Sequence, residues 1–100
     1  MAEVPPVFRP AIRHELDALV AGERPELMIW VQNYGKSGTS LVPQPESIWD
    51  HARTDFLVRA DGSAFGTAPL WTVDESPSDL AVEFEIAPEG VVTLTDLHVL

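Results

Sequence analysis

The sequence predicts an α+β domain: two N-terminal helices packed on one face of a roughly four-stranded antiparallel meander sheet. Three observations carry this. Ile12, Leu16, Leu19 and Val20 recur at i, i+4, i+7 and i+8, the stripe of an amphipathic helix. Leu80, Val82, Phe84 and Ile86 alternate with Ala81, Glu83, Glu85 and Ala87, the period of a half-buried strand. Finally, Asp61-Gly62 and Pro88-Glu89-Gly90 are connections too short for anything but antiparallel neighbours.

In chain order, residues 1–9 form a Pro-rich lead-in, expected to be flexible. The first helix runs from about Pro10, a residue tolerated in a first turn, to Ala21, with Gly22 as its stop. Leu27-Met28-Ile29-Trp30-Val31 lies between Pro25 and Gly35 and reads as a second helix, with Leu27, Trp30, Val31 and Tyr34 on one face. Lys36–Ser47 holds Gly38, Pro43 and Pro45 and is a linker, and Pro45–Trp49 starts a short helical turn. Asp55–Ala60 is the first strand. The next, Ser63–Trp71, carries Gly66 and Pro69 and is expected at an edge or bulged. After a turn at Asp74–Ser78 come the alternating strand and a final one from Val91 to Leu100.

A chain of 100 residues with 45% hydrophobic residues makes one domain, 1–100, with material for a core. Sixteen acids against six bases leave a net charge of −10, which argues against nucleic acid and against an anionic membrane surface. From Ala60 to Leu100 there are eight acids and no Lys or Arg. Such a field suits a solvated surface and also steers a basic partner. The absence of cysteine removes disulfides, zinc–thiolate sites and thiol catalysis. No apolar run is long enough for a membrane span and no signal-peptide pattern is visible, so the expected compartment is the cytoplasm.

Leu70-Trp71-Thr72, the acidic stretch that follows, Ser78-Asp79-Leu80 and the final Asp96-Leu97-His98-Val99-Leu100 resemble a family of small bacterial proteins of unknown function. Tyr34-Gly35 and Leu41-Val42-Pro43 resemble that family's middle region, so the likeness starts near Tyr34. The chain departs at Ser76-Pro77, where the family tends to have Glu-Gly followed by Arg. The resemblance implies the order of elements and no activity or cofactor.

Two clusters invite a chemical reading. Asp74, Glu75, Ser78 and Asp79, immediately after Trp71-Thr72, form a polar turn, with Trp71 read as core before ligand platform; several carboxylates on one turn suit a hard cation, yet the spacing of a calcium loop is missing. Ser78 or Asp79 accepting backbone N–H groups to fix the turn is the structural alternative, and it is favoured. Asp96 and His98, two apart on a strand, leave the same face and suit a metal pair or an acid–base dyad, but no third ligand is evident. His51 beside Asp50 is a weaker catalytic candidate. Gly35-Lys36-Ser37 lacks the upstream glycine of a phosphate loop.

The expectation is therefore an uncharacterised protein, more a binder than an enzyme, with no catalytic residue, metal or cofactor assigned. It would be an interaction module, in the manner of immunity proteins and antitoxins, whose acidic sheet face with Glu83 and Glu85 binds a basic protein. The alternative is a cystatin-like, cone-type α+β domain with a small-molecule pocket lined by Trp30, Trp49 and Trp71, and with hydrolysis as an option. A bulged edge and the apolar Leu97, Val99 and Leu100 also suggest a homodimer.

Overall fold

The computed structural model describes residues 3–100; Met1 and Ala2, part of the expected lead-in, lie outside the described residues. From Val4 onward the lead-in belongs to the fold. Val4 is buried in the core and its N–H donates to the Trp49 carbonyl at 2.9 Å. A 3-10 turn, Pro6–Phe8, leads into helix α1, Arg9–Val20. The stripe residues Ile12, Leu16 and Leu19 are all buried. The helix closes with Gly22 at φ +83°, its N–H donating to the Leu19 carbonyl and that of Glu23 to the Ala18 carbonyl. These paired bonds satisfy the last carbonyls of the helix, and glycine adopts that φ at no steric cost.

The expected second helix is broken. A 3-10 turn at Pro25–Leu27 is followed by a single helical turn, α2, at Ile29–Gln32. It goes no further because the chain folds back onto its C-terminal carbonyls: Thr39 N–H donates to Val31 O and Gly38 N–H to Tyr34 O, both at 2.9 Å. A Cβ on Gly38 would collide with the Gln32 carbonyl oxygen, so this return is closed to any other residue. Trp30 consequently lies on the surface while Val31 is buried.

Strands β1 (Asp55–Val58), β2 (Ala64–Pro69), β3 (Leu80–Ile86) and β4 (Val92–Val99) form one antiparallel sheet in the order β1-β2-β3-β4. The meander is as expected; the place of β2 is not. It is a central, unbulged strand. Gly66 is needed there because a Cβ would come within 2.6 Å of both the Asp55 carbonyl oxygen and Cζ of Phe84. Pro69 is tolerated because Leu70 N–H bonds β3, so position 69 faces the other side, where β1 has already ended.

The bulge falls in β4 instead, opposite Glu83 and Phe84, which pair with Asp96 and Leu94. Extending the Ile86–Val92 register without it would set Thr95 opposite Glu83 and turn Asp96 inward. One face of the sheet packs with α1 through Phe56, Leu80, Val82, Phe84, Ile86, Leu94 and Leu97. No helix among the described residues covers the other.

Candidate functional site

The open face is written by the pairing register. Asp55, Thr67, Glu83 and Asp96 are successive partners and form one row across all four strands. Strands about 4.8 Å apart make that row ~14 Å long. The next row is Leu57, Phe65, Glu85 and Thr93, and on the far side His98 pairs with Ala81, which in turn pairs with Pro69. Between them lies an open groove of about 420 Å³, lined chiefly by Asp55, Leu57, Phe65, Thr67, Glu83, His98 and Leu100. Its walls thus combine carboxylates with apolar side chains that remain exposed, 54% for Leu57, 39% for Phe65 and 66% for Leu100. Among the described residues no Lys or Arg lines it.

At one end Arg59 stacks over the Phe65 ring, 4.5 Å from its centroid, and reaches Glu85 at 3.4 Å. Glu85 is therefore paired with an arginine, whereas Glu83, Asp96 and Asp55 have no Lys or Arg partner among the described residues. At the other end His98 Nδ1 is 3.0 Å from Asp96 Oδ2 and 3.5 Å from Glu83 Oε2. The donor atoms of these three residues all lie within 4.8 Å of one another, which makes them the group able to hold a cation among the described residues. Glu83 is the third donor that linear spacing did not show, because it comes from a neighbouring strand.

The acidic turn is arranged differently. Thr72 Oγ1 accepts the N–H groups of Asp74 and Glu75. Asp74 accepts from the Thr39 hydroxyl at 3.2 Å, and Glu75 from the Tyr34 hydroxyl at 2.6 Å. Tyr34 in turn accepts the Asp79 N–H at 3.0 Å. Bonding to the Glu75 carboxylate favours the protonated phenol and raises the Tyr34 pKa above its ordinary 10.0. Buried Ser78 donates to the Leu70 carbonyl and accepts the Leu80 N–H, while Arg53 bonds its carbonyl and pairs with Asp79. A cis peptide joins Ser76 and Pro77. Each of the turn's acids thus has a fixing partner, and the turn ties the α2 segment to β3.

The tryptophans have separate surroundings. Trp49 is buried beneath the Arg13 guanidinium, 5.1 Å from the ring. Trp71 is half-buried, edge-on to His51 at 5.5 Å, and its backbone is held by Gln44. Trp30 is exposed, and the groove's aromatic wall is Phe65 rather than a tryptophan. His51 Nδ1 accepts the Arg53 N–H at 3.0 Å, which fits a packing role.

Together these features define a two-layer α+β domain with one helix-covered and one open, acidic sheet face. The family model of a domain of unknown function, DUF7668, matches residues 10–100, and the chain belongs to that family. The match takes in α1 and the α2 segment as well as the sheet, and so begins well before Tyr34. No curated protein and no solved structure is similar to the chain. No helix among the described residues is long and apolar enough to cross a membrane.

Proposed function

We propose that this protein is a non-catalytic interaction module whose open sheet face docks a basic protein partner. The observation that supports the reading is the row Asp55–Thr67–Glu83–Asp96 beside exposed Leu57, Phe65 and Leu100. A Lys or Arg side chain matches both parts, its aliphatic stem on the apolar residues and its head at the carboxylates. Complementary charge of this kind acts mainly on association rate and specificity.

The test is a salt-stepped pull-down from native lysate with three baits: wild type, Asp55→Lys with Thr67→Lys on the face, and Glu26→Lys in the Pro25–Leu27 turn, outside the sheet. A basic protein held at low salt by wild type and Glu26→Lys, and lost by the face variant, supports docking. Equal capture by all three baits, or none by any, counts against it.

A second reading, a small-molecule site, draws on the groove's volume of about 420 Å³, within the range of ligand pockets. It no longer rests on the tryptophans. Pairing of two copies along the exposed β4 edge is compatible with either reading, and light scattering over a wide concentration range tests it. On this account the module works in a bacterial cytoplasm, which subcellular fractionation checks.

A further inference from the structure

We infer that Glu83, Asp96 and His98 form a binding site for a divalent first-row transition-metal ion of the zinc class, open toward the groove. Donor chemistry carries the first step. Two carboxylates and an imidazole nitrogen are a mixed oxygen and nitrogen set; calcium and magnesium prefer oxygen alone, whereas zinc and its neighbours accept both.

Distance carries the second. An ion ~2.1 Å from each donor sets neighbouring donors about 3.0 Å apart in an octahedral site and about 3.4 Å in a tetrahedral one. His98 Nδ1 already stands 3.0 Å from Asp96 Oδ2 and 3.5 Å from Glu83 Oε2. All three donor atoms lie within 4.8 Å of one another, so an ion would take the place of the His98–Asp96 hydrogen bond and draw the three side chains together.

The backbone supplies the third step. Glu83 and Asp96 are direct cross-strand partners, an unfavourable placement for like charges. The β4 bulge is what creates it, by turning Asp96 outward beside Glu83 and His98. A cation between the two carboxylates reverses the sign of that interaction.

The groove gives the site a purpose as well as a location. Glu83 and His98 line it, so positions of the ion not taken by protein would face the cavity, where a carboxylate or other anionic group of a bound molecule completes the coordination. The inference does not depend on the docking of a basic partner.

Zinc titration of the full chain, followed by calorimetry, with cobalt absorption reporting coordination, tests it. The expected result is one equivalent bound, with affinity lowered about tenfold or more in His98→Ala and in Asp96→Asn. Magnesium in excess should not displace the ion. Three outcomes would overturn the site: no saturable binding below about 1 mM, binding unchanged in His98→Ala, or full displacement by magnesium. Because Asp55 is not a ligand and lies two strands away from Glu83, Asp55→Lys alone should still bind zinc, which separates this result from that of the pull-down.

Discussion

Replacing Gly66 with alanine adds one methyl group at the tightest point of the sheet. The new Cβ would lie 2.6 Å from the Asp55 carbonyl oxygen and 2.6 Å from Cζ of Phe84. Ordinary contact needs about 3.5–4.0 Å, so roughly 1 Å must open on two sides at once. One side is the β1 backbone and the other a ring that is itself buried, so neither gives way freely. Overpacking of this kind costs up to ~3 kcal/mol, and the lower chain entropy of alanine returns up to ~1 kcal/mol. The expected net loss is about 2 kcal/mol, a fall in Tm of ~8–16 °C at this size. Urea and thermal unfolding of Gly66→Ala measure it, and amide exchange should be faster in β1 than in β3. Phe84→Leu removes the ring atom and should make the second substitution partly compensating, with a coupling of at least ~0.5 kcal/mol. A Gly66→Ala protein within ~0.5 kcal/mol of wild type would refute the argument that β2 holds glycine for close packing.

Other consequences follow from the polar contacts. Ser78→Ala leaves the buried Leu80 N–H without its partner and should destabilise by ~1–3 kcal/mol in urea unfolding, the cost of an unsatisfied buried donor; a neutral effect would show that water takes the place of the hydroxyl. Tyr34 has its pKa raised in the fold, so its contribution is complete below its ordinary 10.0 and is lost as pH rises through the raised value. Wild type should therefore lose stability more steeply than Tyr34→Phe above about pH 10, and parallel alkaline unfolding curves would contradict that.

Local patterns in the sequence were enough for α1, whose stripe residues are buried, and for β3, whose alternation divides core from solvent. Both depend on neighbours within a few positions. What the sequence did not show depends on partners far along the chain. Gly66 and Pro69 weaken a strand considered alone, but one admits the Phe84 ring and the other lies past the end of β1, so β2 runs through the middle of the sheet. The α2 segment has the composition of a longer helix, and only the return of Gly38 and Thr39 onto its carbonyls ends it.

The candidate site divides in the same way. Asp96 and His98 share a face at a spacing of two, which is visible in the sequence. Glu83 joins them only because the bulge moves the register by one residue. A signal was available in Leu94 and Leu97: inward residues three apart on a strand require an extra residue between them. Expecting Glu85 as a free acid missed Arg59, which comes from the chain just after β1 to neutralise it.

The claim that the open face is built for basic chemistry is tested most directly by chemical-shift mapping with a short peptide of alternating Lys and Leu. The account predicts perturbations concentrated at Asp55, Leu57, Phe65, Thr67 and Glu83, weakening as salt is added. Shifts centred on Glu23, Glu26 and Asp74, or spread evenly over the acidic surface, would contradict it.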